Sequence, residues 1–330
     1  MAHVLCMGDA IVDFISTKPD LPLVDVETYK RCPGGSALNT AVVSARLGAE
    51  TAFCSALGDD VFGRFLADLL TEEGIDCSPL IKGAGCSTGV AFASSPGGRP
   101  QFHILRGAKP PAFTLRAADR PKEALQEAKI FHLCSLFAYR FAPEKWIEGC
   151  CSIAERAGTL ISYDPNVRPH AISDTKVAKR RILNCVKRAH IVKMSDEDAS
   201  WLFPKLSEEE VAKKLLSFTA ELAIVTCGAK GAIVATKDKR KKVLGHAGIV
   251  PTKVKDTVGA GDASAGALVS ALVRHDLTSV SALKETPLAE FIKLAQFSAA
   301  ASSAVCSQYG ALAGLKNLKA VEKLQRKAFG

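Results

Sequence analysis

KDTVGAGDASAGALVSAL, residues 255–272, sets an acid, three glycines and a second acid within eleven positions and then runs on as a segment of helical length whose apolar side includes Ala265, Leu268, Ala271 and Leu272. Gly259, Ala260 and Gly261 are small enough to let a backbone approach a ligand closely. Free N–H groups at a helix start, aided by its dipole, suit the charge that develops on a transferring phosphoryl group. Asp262, in the first turn, would sit beside that anion hole, where a carboxylate can take the proton from an attacking hydroxyl. It could equally be a dipole partner in a glycine-rich turn. The loop is not a Walker A sequence, lacking the Gly-Lys-Ser/Thr ending, and Ser264 stands where GxGxxG needs its last glycine. Local composition does not decide between these readings; what else converges on the loop does.

Upstream, short β-rich runs alternate with helix-length amphipathic stretches: KIFHLCS from 129, TLISYDP from 159, AHIVKMS from 189 and ELAIVTC from 221. This alternation predicts an α/β fold, a mostly parallel sheet with helices on both faces. Ligands in such sheets bind outside the carboxyl ends of the strands. Two stretches break the pattern, TKPDLPLVDVETYKRC at 17–32 and STGVAFASSPGGRPQFHILRGA at 87–108, the second reading as a hairpin turning at SPGGRP. Together they predict a small β-sheet lid formed by about 10–35 and 86–111, on a chain that otherwise reads as one domain over 1–330. A lid suits phosphoryl transfer, because water competes with the acceptor.

With 48% hydrophobic and 23% charged residues, 330 residues supply ample material for a buried core. No run approaches eighteen apolar residues, and MAHVLCMGDAIVDFI lacks the grammar of a signal peptide, so a cytoplasmic protein without a membrane partner is expected. The eleven cysteines are scattered, mostly in apolar runs such as HVLCM, FHLCS and IVTCG, and form no CxxC pair or Cys/His cluster. They read as buried reduced thiols. The net charge of +9 lies largely in KVAKRR at 176, KDKRKK at 237 and the C-terminal KLQRK. No aromatics interleave these runs, so the stacking platform of a single-strand nucleic-acid binder is missing, and no nucleic-acid partner is expected. A basic surface also suits phosphorylated ligands. None of the seven histidines forms a nucleophile or ligand constellation.

Further motifs fall beside the expected strand ends. CPGGSALNTAVVSARLG, 32–48, puts Gly34 and Gly35 before a helix with Leu38, Ala41, Val42 and Ala45 on one side and Asn39 in its first turn. Asn39 could bond substrate hydroxyls or simply face solvent. The N-terminal strand LCMGDAIVDFI carries Asp9 and Asp13 in an apolar run, which is costly unless they bind something. SYDPNVRP, 162–169, places Asp164, Asn166 and Arg168 beyond a strand, a set able to hold hydroxyls and phosphate oxygens. In VKMSDEDASWLFP, Ser195 reads as a helix N-cap followed by acids; hard-cation or water contacts are the alternative role for Asp196, Glu197 and Asp198. VTCGAKGA, 225–232, offers a turn with Gly228 and Gly231, beside a nucleotide or merely connecting strands.

In order along nearly the whole chain, GDAIVD, GGSALN, GDDVFGRFL, YDPNVR, VKMSDED, VTCGAKG and DTVGAGDA resemble the ribokinase-like carbohydrate kinase family, also named after the minor phosphofructokinase (PfkB). The resemblance implies a ribokinase-like three-layer sandwich, with Asp262 as catalytic base and the amides of Gly259, Ala260 and Gly261 as anion hole. The chain looks most like bacterial-type fructokinases, which implies transfer of the γ-phosphoryl of Mg·ATP to a fructose hydroxyl. Carried over by motif, Asp13, Gly34, Gly35, Asn39 and Asn166 would hold the sugar, Arg106 of the lid would reach over it, and Arg168 would approach the transferring phosphate. Ser195, Thr226, Gly228 and Gly231 would line the nucleotide site. Asp198 would meet magnesium through water, and Asp256 would help place a monovalent cation such as K+. Relatives in which two lids pack together imply a homodimer.

The sequence also departs from the family pattern. Ser195 and Asp198 stand for the Asn and Glu of the NxxE motif, Lys109 stands near where an acid is common in the lid, and Ser264 follows GAGDA where phenylalanine is usual. Ser36 replaces the lysine of typical ribokinases, while GGSALNT also occurs in some adenosine kinases. Ribose, a keto-sugar acid or a nucleoside are therefore rival acceptors, and a fructokinase-like interaction subunit is the non-catalytic alternative.

Overall fold

Successive residues of a strand face opposite sides of a sheet, so the identity of alternate residues sets how many layers a sheet needs. In the run from 130 to 134, Ile130 and Cys134 pack into one apolar cluster while Phe131 and Leu133 pack into another. Leu222 and Ile224 divide from Ala223 and Val225 in the same way. A sheet apolar on both faces has to be covered on both, and it is.

The computed structural model describes residues 3–18, 20–83, 85–98, 101–105, 111–238 and 241–330. In chain order the strands are β1 (Val4–Met7), β2 (Ile11–Ser16), β3 (Tyr29–Gly34), β4 (Thr51–Cys54), β5 (Ala56–Gly58), β6 (Ile81–Gly83) and β7 (Val90–Ser94). They continue as β8 (Gln101–Leu105), β9 (Ile130–Cys134), β10 (Leu160–Asp164), β11 (Ile191–Ser195), β12 (Leu222–Thr226), β13 (Ala232–Asp238) and β14 (Lys241–Ala247). The helices are α1 (Ser36–Arg46), α2 (Val61–Glu72), α3 (Lys122–Glu127), α4 (Glu144–Ala157), α5 (Thr175–Arg188) and α6 (Asp196–Leu202), followed by α7 (Glu208–Leu215), α8 (Ala260–Arg274), α9 (Val280–Glu285), α10 (Leu288–Cys306) and α11 (Leu318–Phe329).

The main sheet runs β14-β13-β12-β11-β10-β9-β1-β4, parallel except for the antiparallel β13 and β14 at one edge. Core residues of α3 to α7 pack on one face; those of α1, α2 and α8 to α11 pack on the other. A second sheet, β3-β2-β7-β8, joins two antiparallel hairpin pairs through the parallel pair β2 and β7. The four strands expected from the runs at 129, 159, 189 and 221 are β9 to β12. The hairpin expected in 87–108 is β7 and β8, and residues 99–100 and 106–110 lie outside the described residues.

Two expectations are corrected. LCMGDAIVDFI is not one strand: β1 ends at Met7 in the main sheet, and β2 begins at Ile11 in the small one. The break falls where Gly8 touches the neighbouring elements so closely that a Cβ would lie 2.6 Å from that of Ala37. The helix after the glycine loop is also not apolar on one side alone. Residues 262–273 of α8 are all buried, because the helix is sandwiched between α1 and α10 against the sheet.

Candidate active site

The carboxyl ends of β9, β10 and β11 and the first turns of α1 and α8 meet around Asp262. Gly259, the α8 N-cap, adopts φ +80°, and a Cβ there would lie 2.5 Å from that of Ala311. Only glycine satisfies both the left-handed backbone and that packing. The turn so made places Asp262 in the first helical turn, 7% exposed.

Three side-chain donors close on its carboxylate. Ser36 Oγ donates to Oδ1 at 2.6 Å and Asn39 Nδ2 to Oδ2 at 2.8 Å. Asn166 Nδ2 reaches Oδ1 at 3.2 Å and also donates to Ser36 Oγ at 2.6 Å. Asn166 is held at φ +40° two residues beyond β10, and Ser135 at φ +61° directly after β9. Non-glycine residues in this region concentrate where a site overdetermines them. Asn39 is buried, so the solvent-facing alternative is excluded, and its Oδ1 has no hydrogen-bond partner. A buried amide oxygen without a partner is costly and is an exception to be accounted for.

Asp13 reaches the same region from β2 of the small sheet. Burial pushes its pKa up, and the charge of Asp262 pushes it further, to about 7. Its carboxylate lies against Gly34: a Cβ on that residue would stand 2.2 Å from Asp13 Oδ2. Gly35, at φ +101°, would place a Cβ 2.4 Å from the Asp9 carbonyl. Gly34 is thus required by packing on the Asp13 carboxylate, and Gly35 by its positive φ and by the backbone of Asp9 and Ala10. Asp9 Oδ2 accepts from the Phe137 amide at 2.9 Å.

The α8 turn leaves its amides in two states. The first i→i−4 bond runs from the Ala263 N–H to the Gly259 carbonyl. The amides of Ala260, Gly261 and Asp262 precede it and so lie outside the regular helical ladder. That of Ala260 donates to the Thr257 carbonyl at 3.2 Å, so it is drawn inward within its own turn.

The remaining expected residues fall in three groups. Asp164 is engaged within the protein: its Oδ2 accepts from Lys193 Nζ at 2.8 Å and its Oδ1 from the Asn166 amide at 3.1 Å. Ser195 is the N-cap of α6, its Oγ accepting from the Asp198 amide at 3.0 Å. Asp198 returns the bond to the Ser195 amide at 3.2 Å with Oδ2 and takes the Val167 amide at 2.8 Å with Oδ1. Burial, then the charge of Asp164, raise its pKa from its ordinary value. A carboxylate oxygen has two lone pairs, so each keeps one that could meet a water of a hydrated magnesium ion. Among the described residues no three His, Cys, Asp or Glu side chains converge so as to hold a metal ion by themselves.

Thr226 Oγ1 donates to the Met194 carbonyl at 3.3 Å. Gly231, at φ +91°, would place a Cβ 2.2 Å from the Ala247 carbonyl, whereas Gly228, at φ +51°, faces open space. Asp256 ties the glycine loop to the segment after α10, accepting from Val258 at 3.0 Å and Gly310 at 2.9 Å. Arg168 is exposed; its amide donates to Tyr139 Oη at 3.0 Å and its Nη1 to the Val167 carbonyl at 3.3 Å, so no bond ties its side chain to Asp262. Arg106 and Lys109 lie outside the described residues.

Several polar residues beneath α8 carried no functional reading from the sequence. Lys193, 4% exposed, donates to Asp164 and, at 3.1 Å, to the Gly261 carbonyl. Burial pulls its pKa down, but Asp164, by charge and hydrogen bond, with Asp198 and Asp262 beyond, outweighs that and raises it. Beside it His132 Nδ1 pairs with Ser162 Oγ at 3.0 Å; burial, then the charge of Lys193, lower its pKa to about 3, so the ring is neutral. The signal was present: a lysine between Val192 and Met194 in an apolar strand is the same anomaly as Asp13 in β2.

Known proteins resemble this chain in sequence and in fold. The pfkB family carbohydrate kinase profile matches residues 1–318. Fructokinase-1 of Oryza sativa subsp. japonica is 34% identical over 331 residues, covering 98% of both chains. The crystal structure of a fructokinase with bound ATP from Xylella fastidiosa superposes with a TM-score of 0.88 at 25% identity, covering 99% of each chain. A fructokinase from Vibrio cholerae O395, in a form with fructose, ADP and calcium bound, gives 0.82 at 27% identity, covering 98% of this chain and 99% of that one. With the family profile matching residues 1–318 and a relative 34% identical over nearly the whole of both chains, the chain belongs to the pfkB family of carbohydrate kinases.

Proposed function

We propose that the protein is an ATP-dependent fructokinase, moving the γ-phosphoryl group of ATP to a hydroxyl of fructose. The observation that carries this reading is the convergence on Asp262 of Ser36, Asn39 and Asn166, with an unpaired buried Asn39 oxygen beside it. A hydroxyl-rich ligand supplies the donors that this oxygen and Asp13 lack. The likeness to plant and bacterial fructokinases supports fructose over ribose, a keto-sugar acid or a nucleoside.

In the reaction, the attacking sugar oxygen forms a bond to the γ-phosphorus while the bond from that phosphorus to the β–γ bridging oxygen breaks. Asp262 takes the hydroxyl proton, a role that contributes about 10²–10⁴-fold. Ser36 now donates to the oxygen that would receive it, so the sugar hydroxyl takes over the position of the serine proton. Amides of the glycine loop stabilise the charge on the transferring group. Asp198 could meet magnesium through a water, and the ion, bound with the nucleotide, would neutralise phosphate charge. Asp256 and its loop would hold K+. Arg168 turns toward the phosphate, and Ser195, Thr226, Gly228 and Gly231 border the nucleotide. The small sheet, with Arg106, serves as the lid.

Phe102 and Leu105 on its edge strand β8 are 50% and 48% exposed, which supports a homodimer through the lids. All eleven cysteines are free thiols and no helix among the described residues is long and apolar enough to cross a membrane, which supports a cytoplasmic enzyme. The test is substrate-dependent ADP release with Mg·ATP over fructose, ribose, a keto-sugar acid and adenosine. Fructose should give the highest kcat/KM; turnover of adenosine without fructose would exclude this assignment. No turnover with any acceptor would favour the non-catalytic subunit.

A further inference from the structure

The turn at 259–262 can present amides to an anion only if its peptide planes are held in one orientation. The helical ladder of α8, which begins here, holds the carbonyls of Ala260 and Gly261 from the backbone side, and two side chains add a second restraint. Ser302 Oγ of α10 donates to the Ala260 carbonyl at 2.8 Å, and Lys193 Nζ of β11 donates to the Gly261 carbonyl at 3.1 Å. No described peptide is cis, and in a planar trans peptide the C=O and the next residue's N–H point in opposite directions. Fixing the Ala260 carbonyl therefore fixes the Gly261 amide, and fixing the Gly261 carbonyl fixes the Asp262 amide. Both amides then point away from the donors that hold them.

Lys193 is itself fixed. Asp164 Oδ2 accepts from it at 2.8 Å with both side chains buried, while Asp164 Oδ1 is tied to the Asn166 amide. One carboxylate thus connects the lysine under α8 to the loop whose Asn166 side chain bonds Asp262. We propose that Lys193 and Ser302 are positioning residues: they orient the Gly261 and Asp262 amides as the anion hole, with Asp164 setting the lysine. The pair of amides differs from the expected set of Gly259, Ala260 and Gly261, because the Ala260 amide is drawn onto Thr257. A buried ion pair of this kind adds little to stability compared with apolar residues of similar size, which leaves orientation as its contribution.

This inference rests on the kinase reading, so the experiment separates the two. Steady-state kinetics with fructose and Mg·ATP would be measured for the unaltered chain, for Ser302→Ala, and for the charge-neutral pair Lys193→Met with Asp164→Asn, alongside thermal unfolding. Misplaced donors should appear in kcat: about 10-fold lower for Ser302→Ala and about 10²-fold lower for the double variant. KM for fructose and for ATP should stay within about 2-fold, because ground-state binding does not use the two amides fully. A merely structural role would lower melting temperature and leave the kcat of the folded fraction intact. Unchanged kcat in folded variants, or losses confined to KM, would overturn the inference while the kinase reading stood. Absence of turnover by the unaltered chain on every acceptor would remove both. Should the double variant not fold, Ser302→Ala decides alone, since Ser302 is half-buried and its change leaves no charge uncompensated.

Discussion

The two sides of the site are built differently. On the floor, under α8, Asp262 accepts from three side chains, and Asp164 and Lys193 satisfy one another. On the small sheet, Asp13 faces Asp262 with a pKa pushed to about 7, while Phe102 and Leu105 of the same sheet are half-exposed. A floor whose charged groups are already paired is preorganised and needs little rearrangement when charge develops on the ligand. A half-buried carboxylate with a raised pKa is a group waiting for a donor, and the sheet that carries it is the part a ligand completes. The difference assigns catalysis to the floor and recognition to the small sheet.

Breaking the floor should cost most. Gly259→Ala puts a side chain at φ +80° and within 2.5 Å of the Ala311 Cβ, so the turn must move. We expect kcat to fall by about 10²-fold, from displacement of the reacting groups by an ångström or so. Strain of about 1–3 kcal/mol should also lower the melting temperature. Retention of wild-type kcat would show that the turn's geometry is not what the reaction uses.

Asn39→Ala should act on recognition and on the base together. It removes the unpaired Oδ1 offered to the ligand and the Nδ2 donor at 2.8 Å from Asp262. A rise in fructose KM of about 10-fold or more corresponds to one lost hydrogen bond to a charged or buried partner. A change in kcat with KM untouched would move Asn39 wholly to the floor.

The smallest effect, and the one most specific to the small sheet, is in pH. Asp13 has a folded pKa raised above its unfolded value near 3.8, so its contribution to stability is present below that value and is lost as pH rises through about 7. Asp13→Asn should flatten the stability profile between about pH 4 and 7 and make the ligand-free protein more stable than wild type at pH 8. Saturating fructose, by donating hydroxyls to the charged form, should remove the difference. An identical profile for both proteins, read by thermal unfolding across that window, would contradict the burial of Asp13 against Asp262.

Much of the fold was legible because strand alternation and helix start signals are local. The runs at 129, 159, 189 and 221 contain β9 to β12, and the glycine loop opens α8 as its composition implies. What local pattern could not give is pairing across distance. Ser36 and Asp262 are 226 residues apart, and nothing in GGSALN says that its serine donates to the acid of GAGDA. Splitting LCMGDAIVDFI between two sheets likewise depends on how tightly Gly8 packs against Ala37, a tertiary fact. A lysine inside the apolar run of β11 is a legible anomaly, but nothing local pairs it with Asp164; only the register of β10 beside β11 brings them together.

The central claim is that Asp262 is the base for transfer from ATP to fructose. Its most direct test is single-turnover and steady-state phosphorylation of fructose by Asp262→Asn, which keeps the shape of the side chain while removing its basicity. The account predicts a fall in kcat of about 10²–10⁴-fold with fructose and ATP still bound. Full turnover by the Asp262→Asn protein would contradict it.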